Sequence, residues 1–294
     1  MTTSVGVDVG GTNIKAVVCD VGGRVLDRAE IPTPPRIEQI LEAVAELSRR
    51  LGAERPLGLA MAGLVDHRAG VLRWAPHLPG VEVEVRELLT RRLGIPVTVE
   101  NDANAAAVAE QRRGAGRGAQ SLAMLTLGTG IGLGLIDDGR LIRGRAHAGE
   151  IGHVTVEPGG LPCPCGRSGC WETRVSGRVL DEAARRIVRD SASAVDLVEA
   201  ARAGDGPASQ AVANAALWLA VGIEALALVF DPEVIVVGGA AAEAGDLLLG
   251  PARKRLQVTE GAAHRAPIRV EASILGRDAG AVGAAILAAE ETGT

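Results

Sequence analysis

Aromatic side chains are nearly absent from this chain of 294 residues, which has no tyrosine and a single phenylalanine. The core must therefore be packed from alanine, valine, leucine and isoleucine, and the 39 glycines fit a globular rather than a fibrous protein. Lysine is also scarce, since Lys15 and Lys254 are the only two among 31 basic residues, and the formal net charge is −5. Because no run of basic residues is present, the sequence argues against a nucleic-acid surface.

Targeting and membrane signals are also missing from the sequence. The first residues contain no cationic segment ahead of an apolar one, and the longest apolar stretch, from Ala215 to Phe230, is interrupted by Glu224. We therefore expect no signal peptide, no membrane span and a cytoplasmic location. Of the four cysteines, Cys19 lies in an apolar strand, where we expect a buried thiol in a reducing compartment.

The other three cysteines follow a histidine in a loop rich in glycine and proline. His153, Cys163, Cys165 and Cys170 lie within eighteen residues, a spacing that lets a short loop fold around one ion. Zn²⁺ prefers four nitrogen and sulfur ligands in a tetrahedron, so we predict a structural zinc site with no open position. The alternative is a disulfide with a spare thiol, but Cys163 and Cys165 flank only Pro164 and are too close for an unstrained bridge.

Two acidic residues flank the predicted metal loop. Glu150 lies one helical turn before His153, and Glu172 lies two residues after Cys170. A metal ion that orders this loop would therefore also fix the two carboxylates beside it.

The chain contains two similar segments that predict a strand, a tight glycine-rich turn and a second strand. They cover residues 4–19 and 122–136, and this repetition suggests duplicated halves that face each other. Glycine backbone can approach a polyphosphate closely, and a threonine hydroxyl adds a donor, so we predict that both tips bind phosphate. Each tip alone could be ordinary turn chemistry. The tip residues are Gly10, Gly11, Thr12, Gly128, Thr129 and Gly130.

A dinucleotide-binding fingerprint is not present at the second tip. Gly128 and Gly130 are followed three places later by Leu133 and another strand, whereas that fingerprint requires a glycine and a helix. A further pair, Gly238 and Gly239, follows a predicted strand; it could form a close turn or a platform for an adenine ring.

Helices and strands alternate along the rest of the chain, which indicates the α/β class. An alanine-rich helix is expected to start at Asp102. The other expected helices are 37–51, 83–93, 209–229 and 279–289, and the other expected strands are 56–62, 97–99 and 234–237.

Several polar residues lie in or beside predicted strands. Asp8 is inside the first strand, where an unpaired charge is costly to bury, and we predict that it holds hydrated Mg²⁺. Lys15 on the return strand could reach a phosphate or could be a solvated strand lysine. Asn101 and Asp102 follow an apolar strand and could cap a helix, take part in catalysis, or do both.

These motifs together resemble the signature of the ROK (repressor, open reading frame, kinase) sugar kinases, and most closely its bacterial glucokinase branch. The resemblance rests on segments 8–15, 100–105, 127–132, 149–153 and 163–172, spans nearly the whole chain, and is most specific in the metal segment. It implies an actin-like, hexokinase-like ATPase fold of the ribonuclease H type, with two α/β domains and a cleft between them. We expect a smaller domain of residues 1–109 and 280–294, and a larger one of residues 110–279.

The resemblance implies ATP-dependent phosphorylation of a hexose, most simply glucose, at its 6-hydroxyl. It also implies ATP and Mg²⁺, structural Zn²⁺, and a homodimer or homotetramer. Asp102 would be the base that accepts the hydroxyl proton. His153 would use one ring nitrogen for zinc and the other as a donor to the sugar. The residues implied to contact the sugar are Gly63, Asn101, Asp102, Glu150, His153 and Glu172.

One position departs from the family pattern. His77 stands where many members have asparagine near the sugar, which leaves N-acetylmannosamine, N-acetylglucosamine, mannose and fructose as alternative substrates; His77 could equally be a solvated loop residue.

The family also includes repressors with a DNA-binding module ahead of the kinase-like body, which we do not expect because the first phosphate strand begins at residue 4. A sugar sensor without activity is disfavoured because Asp8, Asp102 and both tips are intact. An unrelated cleft ATPase remains the other alternative.

Overall fold

Two five-stranded sheets with the same internal arrangement form the framework of the protein. The computed structural model describes residues 3–52, 55–76, 78–239, 244–258 and 266–293. The first half contains the strands β1 (Thr3–Val9), β2 (Asn13–Asp20), β3 (Val25–Pro32), β4 (Leu57–Met61), β5 (Leu64–Asp66), β6 (Val71–Trp74), β7 (Val81–Val83) and β8 (Val97–Asn101). The second half contains β9 (Leu122–Leu127), β10 (Ile131–Asp137), β11 (Arg140–Ile142), β12 (Val234–Gly239) and β13 (Arg269–Ala272).

The strand order is β3-β2-β1-β4-β8 in the first sheet and β11-β10-β9-β12-β13 in the second. In each sheet a three-stranded antiparallel meander continues into two parallel strands. The repeated topology confirms the predicted pair of similar halves. Strands β5, β6 and β7 form a separate small sheet that the sequence did not predict.

The helices cover the sheets and fill the space between them. They are α1 (Ile37–Gly52), α2 (Val85–Leu93), α3 (Asp102–Arg113), α4 (Gly177–Ile187), α5 (Ala194–Arg202), α6 (Gly206–Phe230), α7 (Asp246–Val258) and α8 (Ala279–Thr292). Helix α3 follows β8 of the first sheet but packs on β9 and β10 of the second, whereas α8 follows β13 and packs on β1 and β4 of the first. The two helices also pack against each other, so each half of the chain supplies a helix to the other.

Glycine and alanine set the spacing of this sheet–helix–helix–sheet layer. A Cβ atom on Gly58 of β4 would lie 1.8 Å from the carbonyl oxygen of Ala284 in α8, and one on Gly283 would lie 1.7 Å from that of Ala105 in α3. Backbone therefore meets backbone at both contacts. The buried cluster between the sheets contains no aromatic side chain among the described residues, which agrees with the composition.

The predicted element boundaries differ from the structure at several ends. The helix expected at 83–93 begins at Val85, because the preceding residues form β7. Helix α6 starts earlier than expected, since the Asp205 side chain accepts a hydrogen bond from the Ala208 amide and caps it. Gly238 and Gly239, expected just after a strand, are the last two residues of β12. The sequence did not identify β3, β11, β13, α4, α5 or α7.

Helix α6 is the one helix in the described part of the chain that is long and apolar enough to cross a membrane. Half of its most apolar window is buried within the protein. The indole of Trp171 packs on Gly222, and Glu224 forms an ion pair with Arg255 of α7 at 2.6 Å. These are the contacts of a core helix.

The backbone contact at Gly58 predicts a large effect from one methyl group. Gly58→Ala should lower the free energy of unfolding by about 1–3 kcal/mol, because the new Cβ has only rigid backbone to displace. Gly250→Ala in α7 is the matched control, since nothing lies within 4 Å of its Cβ position. Denaturant unfolding of both variants measures the difference, and equal midpoints would contradict the packing described.

Candidate active site

The start of helix α3 brings Asn101, Asp102 and Gly63 together. Asn101 is the N-cap: its Oδ1 accepts hydrogen bonds from the amides of Ala103 at 2.9 Å and Asn104 at 3.1 Å. Its Nδ2 donates to the carbonyl oxygen of Gly63 at 3.0 Å. The capping role predicted for this pair thus belongs to Asn101, and the Asp102 side chain is left for another function.

Asp102 shares its surroundings with two other carboxylates. Burial raises its pKa to about 7, with a second contribution from the charge of Asp8 and a smaller one from Glu150. Asp8 belongs to the first half of the chain and Glu150 to the second, so acids from both halves meet at this helix end. Burial also raises the pKa of Asp8 to about 6, which Lys15 opposes. A divalent cation would relieve the repulsion between these groups.

Lys15 is placed beside Asp8 by the register of the first hairpin. The two residues are directly opposite each other in the β1–β2 pair. The Lys15 ammonium donates to the carbonyl oxygen of Arg277, in the turn before α8, at 3.3 Å. Of the two alternatives from the sequence, the position next to Asp8 fits a charged partner in the site better than a solvated strand residue.

The first glycine-rich tip connects β1 and β2. Gly11 and Thr12 are exposed, and Gly10 is partly buried. Thr33 donates its hydroxyl to the Gly10 carbonyl at 2.6 Å and its amide to the Thr12 carbonyl at 2.8 Å. Because these carbonyl oxygens are engaged, the tip offers less negative potential to an incoming phosphate.

The second tip connects β9 and β10 and lies against the start of α4. Gly128 and Thr129 are exposed, and Gly130 is partly buried. The Arg178 amide donates to the Gly128 carbonyl at 3.3 Å, and a Cβ atom on Gly177 would come within 2.7 Å of the same oxygen. The positive end of the α4 dipole therefore lies at this tip, where it would attract an anion.

Three helix N-termini lie at these residues. Helix α4 begins at the second tip, α3 begins with Asp102, and a Cβ atom on Gly280 near the start of α8 would be 2.8 Å from an Asp8 carboxylate oxygen. Each helix end carries partial positive charge. The arrangement favours a ligand with several negative charges.

Gly238 and Gly239 lie beside the strand that leads to the second tip. They pair with Thr126 and Leu127 of β9. Gly239 has a positive φ of 89°, and a Cβ atom there would be 2.2 Å from the Leu127 carbonyl. Turn geometry and close packing account for glycine at this position, and its place near Gly128 is compatible with the alternative of a base platform.

The acids and ligands of the predicted metal loop come together in the second half. Residues Glu150–His153 form a short 3-10 helix that packs on β10. His153 Nε2 is 3.8 Å from Glu150 Oε2, while Nδ1 faces Cys163 Sγ at 3.6 Å. Burial raises the pKa of Glu150.

The four predicted metal ligands form one cluster. Their ligand atoms all lie within 4.8 Å of one another, and the sulfurs of Cys165 and Cys170 are 3.6 Å apart. Ligand atoms at the corners of a zinc tetrahedron are separated by about 3.5–3.8 Å, given the usual Zn–S and Zn–N lengths. The four side chains, His153, Cys163, Cys165 and Cys170, therefore fit a closed zinc site. Cys19 lies elsewhere, fully buried, and burial raises the pKa of its thiol to about 12, as expected for an inert cysteine.

Glu172 connects the metal cluster to the second phosphate tip. One of its oxygens accepts from the Cys163 thiol at 3.0 Å, and a Cβ atom on Gly130 would lie 2.4 Å from the other. The neighbouring Trp171 is buried, and its Nε1 donates to the Trp218 carbonyl of α6 at 2.8 Å. The end of the metal loop is thus fixed on α6, and Glu172 lies directly beside Gly130.

Sequence reasoning missed a buried ion pair next to Asp102. Glu100 accepts a hydrogen bond from Arg143 Nε at 2.6 Å and is almost inaccessible to solvent. The signal that could have found Glu100 is a carboxylate in an otherwise apolar strand. Nothing in the sequence pointed to Arg143. His77, the position that departs from the family pattern, lies outside the described residues.

The family model for the ROK family matches residues 4–291. This chain belongs to the ROK family. A glucokinase from Streptomyces coelicolor is 37% identical over 312 aligned positions, which cover 99% of this chain and 98% of that protein. The family membership and the predicted mixed α/β fold are therefore confirmed.

Two solved structures of ROK proteins share the whole fold. A ROK glucokinase from Streptomyces griseus in complex with glucose and AMPPNP is 38% identical, with a TM-score of 0.89 and coverage of 98% of this chain and 99% of that one. The ROK hexokinase from Thermus thermophilus is also 38% identical, with a TM-score of 0.82 and 99% coverage of both chains. These likenesses confirm the actin-like ATPase fold expected from the sequence.

The metal cluster predicts that one cysteine controls the whole loop. Cys165→Ser should weaken zinc binding by more than about 100-fold, because even loss of an outer-sphere partner costs a metal site up to that much. Glucose affinity should fall with it, since His153 and Glu172 lose their anchor. Zinc content and glucose Kd are measured on one preparation.

The matched control removes the cysteine outside the cluster. Cys19→Ala should keep its zinc and its glucose affinity, because Cys19 lies in β2 of the first sheet and is not one of the four clustered ligands. If Cys165→Ser retained zinc, or lost it without a change in glucose Kd, the link between metal and sugar would be wrong.

Proposed function

We propose that this protein is an ATP-dependent hexose kinase that transfers the γ-phosphoryl group of ATP to the 6-hydroxyl of glucose. The observation that carries the proposal is Asp102. It is a carboxylate at a helix N-terminus whose pKa is raised to about 7 by burial and by the charges of Asp8 from the first half and Glu150 from the second. The chain is similar to glucokinases over nearly its full length, and one of them was solved with glucose and AMPPNP. This similarity supports ATP as the phosphoryl donor and glucose as the acceptor.

The nucleotide would be held by groups from both sheets. Gly10, Gly11 and Thr12 would contact phosphate from the first sheet, and Gly128, Thr129 and Gly130 from the second. Lys15 would add a positive charge next to Asp8. Gly238 and Gly239, at the end of β12, would lie under the adenine ring.

Asp8 is the residue we assign to magnesium. Asp8 is partly buried, and its charge acts on Asp102. The raised pKa values of both acids suit a site whose negative charge a cation offsets. Mg²⁺ neutralises phosphate charge as it develops during transfer. The Asp8 carboxylate, through the water shell of the ion, would orient it toward the phosphates.

Asp102 would act as the general base. As the sugar 6-oxygen attacks the γ-phosphorus and the bond to the β-phosphate oxygen breaks, the hydroxyl proton passes to a carboxylate oxygen of Asp102. Positioning and charge neutralisation provide most of the acceleration in such transfers, and the base contributes less. The helix N-terminus around Asp102 also stabilises its ionised form, through the amides of Ala103 and of Asp102 itself.

The sugar would be fixed by groups on both sides of Asp102. Asn101 has one amide hydrogen beyond the bond to Gly63, and Gly63 approaches from the small-sheet side. Glu150 and His153 Nε2 form the other side, and Glu172 closes it beside Gly130. Zn²⁺ on His153 Nδ1 and the three thiolates would order this side without taking part in transfer.

The domain division and assembly are also proposals. Packing of α8 on the first sheet supports a smaller domain of residues 1–109 and 280–294 and a larger one of 110–279. The assembly would be a homodimer or homotetramer, and the product would enter sugar breakdown. Light scattering determines whether the assembly is a dimer or a tetramer. Assays of a panel of hexoses with ATP and Mg²⁺ determine which sugar is preferred.

The base assignment predicts a loss of turnover without a loss of binding. Asp102→Asn should reduce kcat by about 10²–10⁴-fold, since the amide keeps the shape of the side chain but cannot accept the proton. Glucose Kd by calorimetry should stay close to that of the wild type. Asp138→Asn, in an exposed turn, is the control and should retain full activity. Turnover near the wild-type rate in Asp102→Asn would refute the assignment.

The raised pKa values predict the direction of the pH dependence. Asp102 is active only when ionised, so kcat/KM should fall as the pH drops below about 7, with a further fall near 6 as Asp8 is protonated. Both acids bind protons more tightly folded than unfolded, so their ionisation should lower stability as the pH rises from about 4 to 7. A kcat/KM that stays flat from pH 5.5 to 8 would contradict the assignment of Asp102.

A further inference from the structure

Glu100 is a buried carboxylate that nothing in the proposed reaction uses. It is 2% exposed and lies in β8 immediately before Asn101 and Asp102. Its Oε1 accepts hydrogen bonds from the Asn101 amide at 2.9 Å and from Asn104 Nδ2 at 3.0 Å. Both donors belong to the helix start that carries Asp102, so the position of Glu100 is coupled directly to that of the base.

The other oxygen of Glu100 is held from the second half of the chain. Arg143 Nε donates to Glu100 Oε2 at 2.6 Å, and the Arg143 side chain is 24% exposed. Arg143 directly follows β11 and starts the segment that leads to Glu150 and His153. One ion pair therefore connects the strand end before Asp102 with the base of the loop that carries two proposed sugar ligands.

We propose that Arg143, through Glu100, is a positioning residue that sets Asp102 against the sugar-binding loop. This inference rests on the proposed kinase function. In this role Arg143 touches neither sugar nor nucleotide. It fixes the two halves of the site relative to each other, so that the base Asp102 and the proposed sugar ligands Glu150 and His153 face the same sugar.

A purely stabilising role accounts poorly for this pair. Removing two charges from water costs several kcal/mol, and apolar residues of similar volume often stabilise a fold as well or better. An apolar pair could not form these hydrogen bonds, in which Arg143 donates to Glu100 from the other half and Glu100 accepts two more at the N-terminus of α3. Displacement of a reacting group by about 1 Å can lower the rate about 100-fold, so an ion pair that fixes the position of Asp102 can affect turnover strongly.

Loss of Arg143 would also leave the buried Glu100 carboxylate without its cation, two residues from Asp102. A like charge raises the pKa of a neighbouring carboxylate. His67, whose pKa also responds to the charges of Arg143 and Glu100, does not replace the cation, because burial is the largest cause that lowers its pKa and remains after Arg143 is removed. The predicted signature of losing Arg143 is thus kinetic and also visible in the pH profile.

The test compares Arg143→Met, which removes the charge, with Arg143→Lys, which keeps it but not the guanidinium Nε donor. Glu100→Gln and the double variant Glu100→Gln/Arg143→Met complete a cycle. Arg112→Met is the matched control, since Arg112 lies on the same helix α3 as Asp102 but pairs with Glu290 at its far end. For each protein, kcat, the KM for glucose and for ATP, the pH profile of kcat/KM and the Tm are measured.

Arg143→Met should lower kcat by about tenfold or more and move the acidic limb of kcat/KM to higher pH. Arg143→Lys should recover part of the loss, and the double variant should lose less than the product of the two single losses. Arg112→Met should match the wild type. A wild-type protein that phosphorylates no sugar would refute the proposed function itself.

The inference is overturned separately if the wild type is active and Arg143→Met changes only Tm, with KM values and pH profile unchanged. It is also overturned if the effects of Glu100→Gln and Arg143→Met multiply independently. Should Arg143→Met fail to fold, Glu100→Gln decides the question. It should lower kcat and move the acidic limb to lower pH, because it leaves the Arg143 cation without its carboxylate, and a change in Tm alone would overturn the inference.

Discussion

Close backbone packing of α3 and α8 between the two sheets is the constraint on which the site depends. Gly58 and Gly283 leave no room for side chains, so each helix lies at a distance set by main-chain atoms. Helix α3 begins at Asp102, and α8 begins beside Asp8. The separation of the two acids is therefore fixed by glycine and alanine contacts deep in the protein. The cluster between the sheets contains no aromatic side chain among the described residues, and this allows the close approach.

Charge in the site is balanced by helix ends as much as by side chains. Asp8, Asp102 and Glu150 all have raised pKa values from burial, and they lie at or near helix N-termini that favour negative charge. The site is thus acidic where a cation and a hydroxyl proton must be received, and positive where α4 meets Gly128. Separate regions of opposite potential suit a ligand that brings a metal ion and a polyphosphate together.

The parts of the site that could be predicted are those written in short stretches of sequence. Both hairpin tips, the Asn101 cap and the ligand set from His153 to Cys170 depend on neighbours a few residues away, and the structure brings each set together. The approach of Glu172 to Gly130 and the pair of Glu100 with Arg143 depend on how two distant segments pack, which no local pattern reports. Helix α7 was missed for another reason: Pro251 lies inside it, and proline usually ends a helix.

The scarcity of aromatic residues gives this protein an unusual optical property. With no tyrosine, its intrinsic fluorescence comes from three tryptophans, Trp74, Trp171 and Trp218. Trp171 is 1% exposed between Cys170 and Glu172 and donates to the backbone of Trp218, over which the Arg174 guanidinium lies at 5.5 Å. Trp74 is 42% exposed, and its carbonyl packs against Gly63 on the other side. The fluorescence of Trp171 and Trp218 should therefore report on the order of the metal loop, and that of Trp74 on the surroundings of Gly63, without any attached dye.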